Sequence, residues 1–290
     1  MESLTSRSQH KDQASRLREL AGGNRNCANT LAIVSGKGGV GKTNVAVNLS
    51  ICLAARRRRV TLIDLDMGLA NADLLLGLTP KHTLAQVISG SRTLHEITLS
   101  GPAGLRFIPG ASGMDQLANL SEFERQSLLL QMQSLEDSTD TLVLDCGAGI
   151  SRSVMRFAQS AQRVMVVTTP EPTSMTDAYA TVKTLTREQY RGTVGVLVNK
   201  AAGRVEAKAT YRRIAEVAKR FLNYPIANFG FVVQDMSVVQ AVRARSPVVI
   251  RFPQCSASAC FAAVADSMAA ESSTEVRRDS FFKRVAGLFV

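Results

Sequence analysis

Apolar, β-rich segments recur along the chain at residues 30–35, 59–66, 105–109, 141–146, 163–169, 193–199 and 229–233. Most intervals between them carry apolar residues at helical spacing. That alternation predicts an α/β fold with a doubly wound, mainly parallel sheet and helices on both faces. Segments such as Arg163-Val164-Met165-Val166-Val167-Thr168 are nearly continuous in apolar character, as strands buried on both sides require. Two stretches depart from the pattern. Residues 1–28 are polar, and the stretch after about 270 opens with Glu271-Ser272-Ser273-Thr274-Glu275, the composition of a mobile linker. The predicted organisation is therefore an N-terminal segment (1–28), a core domain (29–270) and an appended C-terminal segment (271–290).

Composition changes this picture little. A chain of 290 residues with 45% hydrophobic content can bury one large core. The formal charge of +11 favours an anionic partner such as a membrane surface, nucleic acid or nucleotide, without choosing among them. The cations are scattered, and the run Arg56 to Arg59, between a predicted helix and strand, reads as a solvated helix end. The five cysteines (Cys27, Cys52, Cys146, Cys255 and Cys260) are an odd number without a C-x-x-C pair. They argue against a disulfide scaffold and against a zinc or iron–sulfur site, and fit reduced thiols in a cytoplasmic protein. There is no signal-peptide pattern and no run of about eighteen apolar residues, so no membrane span is expected.

The chemistry begins directly after the first strand, where residues 36–43 read Gly-Lys-Gly-Gly-Val-Gly-Lys-Thr. This fits G-x-x-x-x-G-K-[ST], a loop whose backbone N–H groups and following helix N-terminus cradle phosphate. Gly36, Lys37, Gly38, Gly39, Val40, Gly41, Lys42 and Thr43 form the candidate nucleotide loop. Lys42 is placed for the β- and γ-phosphates and the Thr43 hydroxyl for Mg²⁺. Carboxylates are expected at the ends of neighbouring strands. Asp64 and Asp66, two apart, lean to one side of the second strand, and Asp145 closes the segment 141–145. A carboxylate at the place of Asp145 would hold Mg²⁺ through a water, because Mg²⁺ keeps several of its own. At another strand end, Asn199-Lys200-Ala201-Ala202 lacks the aspartate of the guanine motif N-K-x-D, and Asn199 keeps a carboxamide able to pair with adenine.

The second lysine of the loop, Lys37, makes the sequence similar to the deviant Walker A ATPases, the MinD/ParA family, whose loop reads K-G-G-x-G-K-T. The resemblance implies ATP and Mg²⁺ as ligands and a homodimer in which Lys37 contacts the triphosphate of the partner. Asp64-Leu65-Asp66-Met67-Gly68 resembles the family's switch I, which assigns Asp66 to orienting the attacking water and Asp64 to the neighbourhood of Mg²⁺. Asp145-Cys146-Gly147-Ala148-Gly149 resembles its Walker B and switch II sequence. With Lys37 and Lys42 neutralising charge, slow, regulatory hydrolysis is implied. Family resemblance also points to the stretch around Val233, Gln234 and Asp235 as an adenine contact, although relatives often have proline at the position of Val233.

The two appendages narrow the resemblance. In the tail, Phe281, Phe282, Val285, Leu288 and Phe289 gather on one side of a projected helix, opposite Lys283. That is the pattern of an amphipathic helix lying on an anionic bilayer; the alternative is docking on the protein's own core, and the two could hold in turn. Three turns bury little area, so two tails held by one dimer would bind more firmly than one. Near the N-terminus, Ala14, Leu17 and Ala21 share a helical face ending at Gly22-Gly23. Asp12-Gln13-Ala14-Ser15-Arg16-Leu17-Arg18 closely resembles the D-Q-A-x-x-L-R motif of the FlhG (FleN) branch, which stimulates the GTPase FlhF. The implied partner-binding residues are Asp12, Gln13, Ala14, Leu17 and Arg18, with Gln13 as donor to the GTPase site. This branch limits flagellar number and influences placement and, in some bacteria, antagonises a FleQ-type transcription activator. The implied protein is cytoplasmic, peripherally bound to membrane in its ATP state and without specific DNA binding. Two alternatives remain open. A ParA-like partition ATPase would bind DNA non-specifically through cations such as Arg204, Lys208, Arg212 and Arg213. An iron–sulfur carrier of the same superfamily would need the cysteine pair that is missing here.

Overall fold

The computed structural model of the protein describes residues 28–66, 71–110 and 122–271, together with Phe281 and Arg284. Eight strands form one sheet in the order β3-β4-β2-β5-β1-β6-β7-β8. They are β1 (Asn29–Ser35), β2 (Val60–Leu65), β3 (Leu99–Ser100), β4 (Arg106–Ile108), β5 (Thr141–Ala148), β6 (Arg163–Thr168), β7 (Thr193–Ala201) and β8 (Ala227–Val233). All neighbours pair parallel except β3 and β4. Each of the seven apolar segments in the sequence carries a strand. β3 lies outside them, because two residues give no periodicity to read and only antiparallel pairing with β4 defines it.

Side-chain alternation divides the interior into two cores. From β1, Ala32 and Val34 enter one core, while Leu31 and Ile33 enter the other. The first core is covered by α3 (Leu84–Ile88), α4 (Leu94–Ile97), α5 (Glu122–Asp137), α6 (Arg152–Ser160), α7 (Pro172–Arg187) and α8 (Arg204–Leu222). The second is covered by α1 (Lys42–Ala54), α2 (Ala72–Leu76), α9 (Met236–Arg243), α10 (Val248–Arg251) and α11 (Ser256–Glu271). Burial on both faces is what permits β2 and β6 to be buried at every residue. No helix of the described residues is long and apolar enough to cross a membrane.

The arginine run corrects its reading as a solvated helix end. Arg56 donates to Asp266 Oδ1 at 2.6 Å and to the Cys52 and Ala262 carbonyls, and Arg58 donates to the Ala269 carbonyl at 2.8 Å. Arg59 pairs with Asp140 at 2.6 Å. Three of the four arginines therefore tie α11 to α1 and β2 to the entry of β5, and Arg58 caps the negative end of α11. Of the tail, Phe281 is 2% exposed within the first core, and its N–H donates to Glu136 Oε1 at 3.0 Å.

Candidate nucleotide site

The parallel strands β1, β2, β5 and β7 end on one side of the sheet, where an open α/β sheet places its ligand crevice. The loop 36–41 joins β1 to α1 there. A Cβ on Gly36 would collide with the Asp177 carbonyl, so α7 lies directly on this loop. Gly41 has φ 88°, and a Cβ there would collide with Asn199 Nδ2. The space is taken by a clamp from the end of β7. Asn199 Nδ2 donates to the Val40 carbonyl and Lys200 Nζ to the Gly39 carbonyl, each at 2.8 Å.

Lys42 projects inward and is 6% exposed, with Nζ 2.5 Å from Asp145 Oδ1 and 3.8 Å from Asp66 Oδ2. Burial works against its charge, but attraction to Asp145 and Asp66 prevails and holds its pKa above the ordinary lysine value. Asp145 is wholly buried, and that burial raises its carboxyl pKa against the opposing pull of Lys42. Its second oxygen, Oδ2, has no hydrogen-bond partner among the described residues. An orphaned carboxylate oxygen beside the phosphate loop fits a water of a bound Mg²⁺, with the Thr43 hydroxyl as direct ligand. No group of three or more His, Cys, Asp and Glu side chains among the described residues is arranged to hold a metal by itself. A cation held here would depend on phosphate oxygens and water.

Asp64 sits opposite Asp145 in the β2–β5 register and is 1% exposed. Its Oδ1 accepts the Asp66 N–H at 3.0 Å and its Oδ2 the Ala72 N–H at 3.3 Å. Both oxygens thus fasten the two ends of the segment that carries Asp66. Burial first, and the charge of Asp145 second, push its pKa up to about 7. The folded protein holds this proton more tightly than the unfolded chain. The associated stability is complete below about pH 4 and is lost as pH rises through about 7, on the order of 4 kcal/mol in all. Denaturant titrations of nucleotide-free protein between pH 5 and 8 are expected to show this decline. Asp64→Asn should flatten it, and an unchanged slope in the variant would assign it to other groups.

A cavity of about 970 Å³ opens above the loop. Gly38, Gly39, Gly41, Lys42 and Thr43 form its floor, with Asp66 and Ala148 beside them. Its walls come from Asn71, Leu74 and Leu75 around α2, from Lys200, and from Val238, Val239, Val242 and Arg243 of α9 with Arg245 beyond. The α9 wall is missing from the sequence reading, although the spacing of Val238, Val239 and Val242 puts them on one helical face. None of the expected adenine contacts Asn199, Val233 and Asp235 is among the residues lining the cavity. The Asp235 oxygens accept the Ser237 N–H at 2.8 Å and the Ala257 N–H at 3.1 Å. Those hydrogen bonds lower its pKa and cap α9. Lys37 also lies outside the cavity lining. Its Nζ is 3.3 Å from both Glu171 Oε2 and Thr173 Oγ1 at the start of α7.

Several other expected residues lie outside those described: Asp12, Gln13, Ala14, Leu17 and Arg18 near the N-terminus, Met67 and Gly68 after Asp66, and Phe282, Val285, Leu288 and Phe289 in the tail.

Comparison with known proteins agrees with this geometry. The pattern of the CobQ/CobB/MinD/ParA nucleotide binding domain matches residues 31–248. The chain is 44% identical over 238 residues to the antiactivator FleN of Pseudomonas aeruginosa, covering 82% of this chain and 85% of that one. It is 36% identical over 189 residues to the flagellum site-determining protein YlxH of Helicobacter pylori, covering 65% and 64% of the two chains. Among solved structures, the cell division ATPase MinD of Pyrococcus furiosus superimposes with a TM-score of 0.69 at 24% identity, covering 84% of this chain and 99% of that one. The chain belongs to the CobQ/CobB/MinD/ParA nucleotide-binding family and, within it, stands with the antiactivator FleN.

Proposed function

We propose that this protein is a regulatory ATPase of flagellar number, using Mg²⁺ and ATP and acting as an ATP-bound homodimer. The observation that carries this reading is the placement of Lys37. A phosphate-loop lysine directed away from its own cavity is available to the nucleotide of a second copy. The rim supports the same reading, since the lining residues Leu74 (44% exposed) and Val239 (40%) leave apolar surface at the cavity. Surface of that kind favours a partner.

In this reading Lys42 leaves Asp145 for the β- and γ-phosphates, while Thr43 and Asp145 hold Mg²⁺. Mg²⁺ neutralises charge on the β- and γ-oxygens when bound. Asp66 orients the attacking water, positioned by the hold of Asp64 on its backbone. Asn199 gives its N–H to the loop, which leaves its carbonyl oxygen to accept from the adenine amino group.

The flagellar assignment follows the roles of the relatives in Pseudomonas aeruginosa and Helicobacter pylori. Its finer parts are stimulation of an FlhF-type GTPase through the N-terminal motif, antagonism of a FleQ-type activator, and membrane attachment by the tail in the ATP state. Burial of Phe281 supports control of attachment, because one side chain cannot occupy the core and the bilayer together. Asp66→Ala is expected to bind ATP, hydrolyse it on the order of 100-fold more slowly, and accumulate as dimer on anionic vesicles. Deleting residues 280–290 should abolish vesicle binding and leave ATP binding intact. A variant that never dimerises would remove Asp66 from its assigned role.

A further inference from the structure

The end of the molecule opposite the nucleotide carries a feature that ATP binding does not use. Strand register places the starts of β5, β6, β7 and β8 together at that end, with Leu31 opposite Arg163, Arg163 opposite Thr193 and Gly195 opposite Ala227. α8 finishes there at Leu222, and its last turns carry Phe221, 66% exposed, and Val217, 38% exposed, one helical turn apart. Burying Phe221 would be the ordinary fate of such a side chain. Instead it protrudes beside cations. Lys219 and Arg220 precede it on the helix, both exposed, and the Arg220 guanidinium lies 5.4 Å from the Phe221 ring centre. Tyr224 Oη donates to the Gly192 carbonyl at 3.2 Å, which stitches this helix end to the loop bearing exposed Arg191, just beyond Arg187 at the end of α7. The acids nearby are Glu216, one turn back from Arg220, and Glu188, which is hydrogen-bonded to Gln159.

We infer that the ends of α7 and α8 form a second membrane contact, in which Phe221 enters an anionic bilayer at headgroup level while Lys219, Arg220 and Arg191 meet lipid phosphates. An exposed aromatic ring with cations beside it fits such an interface, where the ring gains an apolar environment and each cation adds attraction. The position also fits. Glu136, which holds Phe281, precedes β5 on the same helical layer and at the same end of the sheet. β5 and β8 are four places apart, about 19 Å at the usual strand spacing. Phe281 and the patch thus lie at one end of the molecule, and a short tail gains a second point of attachment. The inference rests on the membrane part of the proposed function.

The chain contains no tryptophan, so Phe221→Trp introduces a sole indole at an exposed position remote from the nucleotide. With ATP and phosphatidylglycerol vesicles, its emission is expected to shift to shorter wavelength and to be quenched by lipids brominated on their acyl chains. Phosphatidylcholine vesicles should leave it unchanged. Lys219→Ala and Arg220→Ala should each weaken vesicle binding about fivefold. If the protein sediments with anionic vesicles while the indole stays unshifted, the tail carries attachment alone and the second contact is wrong. If it does not sediment at all, the membrane reading falls with it. A shift produced by duplex DNA and not by vesicles would overturn the lipid assignment in favour of nucleic acid.

Discussion

Lys37→Ala is expected to eliminate ATP-dependent self-association, whereas Glu171→Gln should strengthen it. In the free chain the Lys37 ammonium rests against Glu171 Oε2 and Thr173 Oγ1 at 3.3 Å, with the lysine side chain 44% and the glutamate 64% exposed. An exposed pair of this kind contributes at most about 1 kcal/mol. Contact with a triphosphate enclosed between two copies would be worth much more, because solvent is excluded and the charges are close. Removing one member of such an interfacial pair costs about 2–5 kcal/mol, and a symmetric dimer loses two. Dimer should therefore be undetectable for Lys37→Ala at concentrations where the parent chain is dimeric. Glu171→Gln removes the competing attraction in both copies, and about tenfold tighter association is expected. Sedimentation velocity with a non-hydrolysable ATP analogue reads both. If Lys37→Ala dimerises like the parent chain, the shared-site proposal is wrong. If Glu171→Gln alone is neutral, the observed pair does not compete with dimerisation.

That rivalry was not legible in the sequence, and the reason is physical. Glu171 stands 134 residues from Lys37, and an exposed ion pair leaves no hydrophobic period to detect. The parts that were legible share the opposite property. Strands covered on both faces must be apolar almost throughout, so β2 and β6 stand out as runs, and the glycines of the phosphate loop follow from the space left by α7 and Asn199. Asp64, Asp66 and Asp145 could be placed at strand ends because parallel strands finish together. Which of them spends its oxygens on backbone N–H groups depends on the path of the loop after β2. Similarly, Asp235 reads equally well as a base contact or a helix cap, and only the packing of α11 against α9 shows its oxygens engaged. The tail pattern was compatible with core or bilayer, since both accept the same apolar face. Phe281 in the first core shows one of these states.

The buried pair of Lys42 and Asp145 gives a second large effect, best measured without nucleotide. Breaking a buried ion pair by removing one member costs about 3–5 kcal/mol, because the other charge is left desolvated. In a domain of this size that lowers the melting temperature by about 10 °C. The two single substitutions should differ in their pH dependence. Lys42→Met leaves Asp145, whose carboxyl is already raised by burial and now lacks its opposing cation. Its folded pKa then lies further above the unfolded value, so stability is greatest at low pH and falls as pH rises. Asp145→Ala leaves a buried ammonium without its main counter-charge, which favours the neutral amine and lowers the folded pKa. That variant should regain stability as pH rises toward the alkaline range. The double variant has neither stranded charge and should be more stable than either single one, keeping only the decline with rising pH that the burial of Asp64 produces. Thermal melts from pH 5 to 9 read all four proteins. Additive losses in the double variant would show that Lys42 and Asp145 do not act as a unit, and the account of Lys42 exchanging Asp145 for phosphate would fail with it.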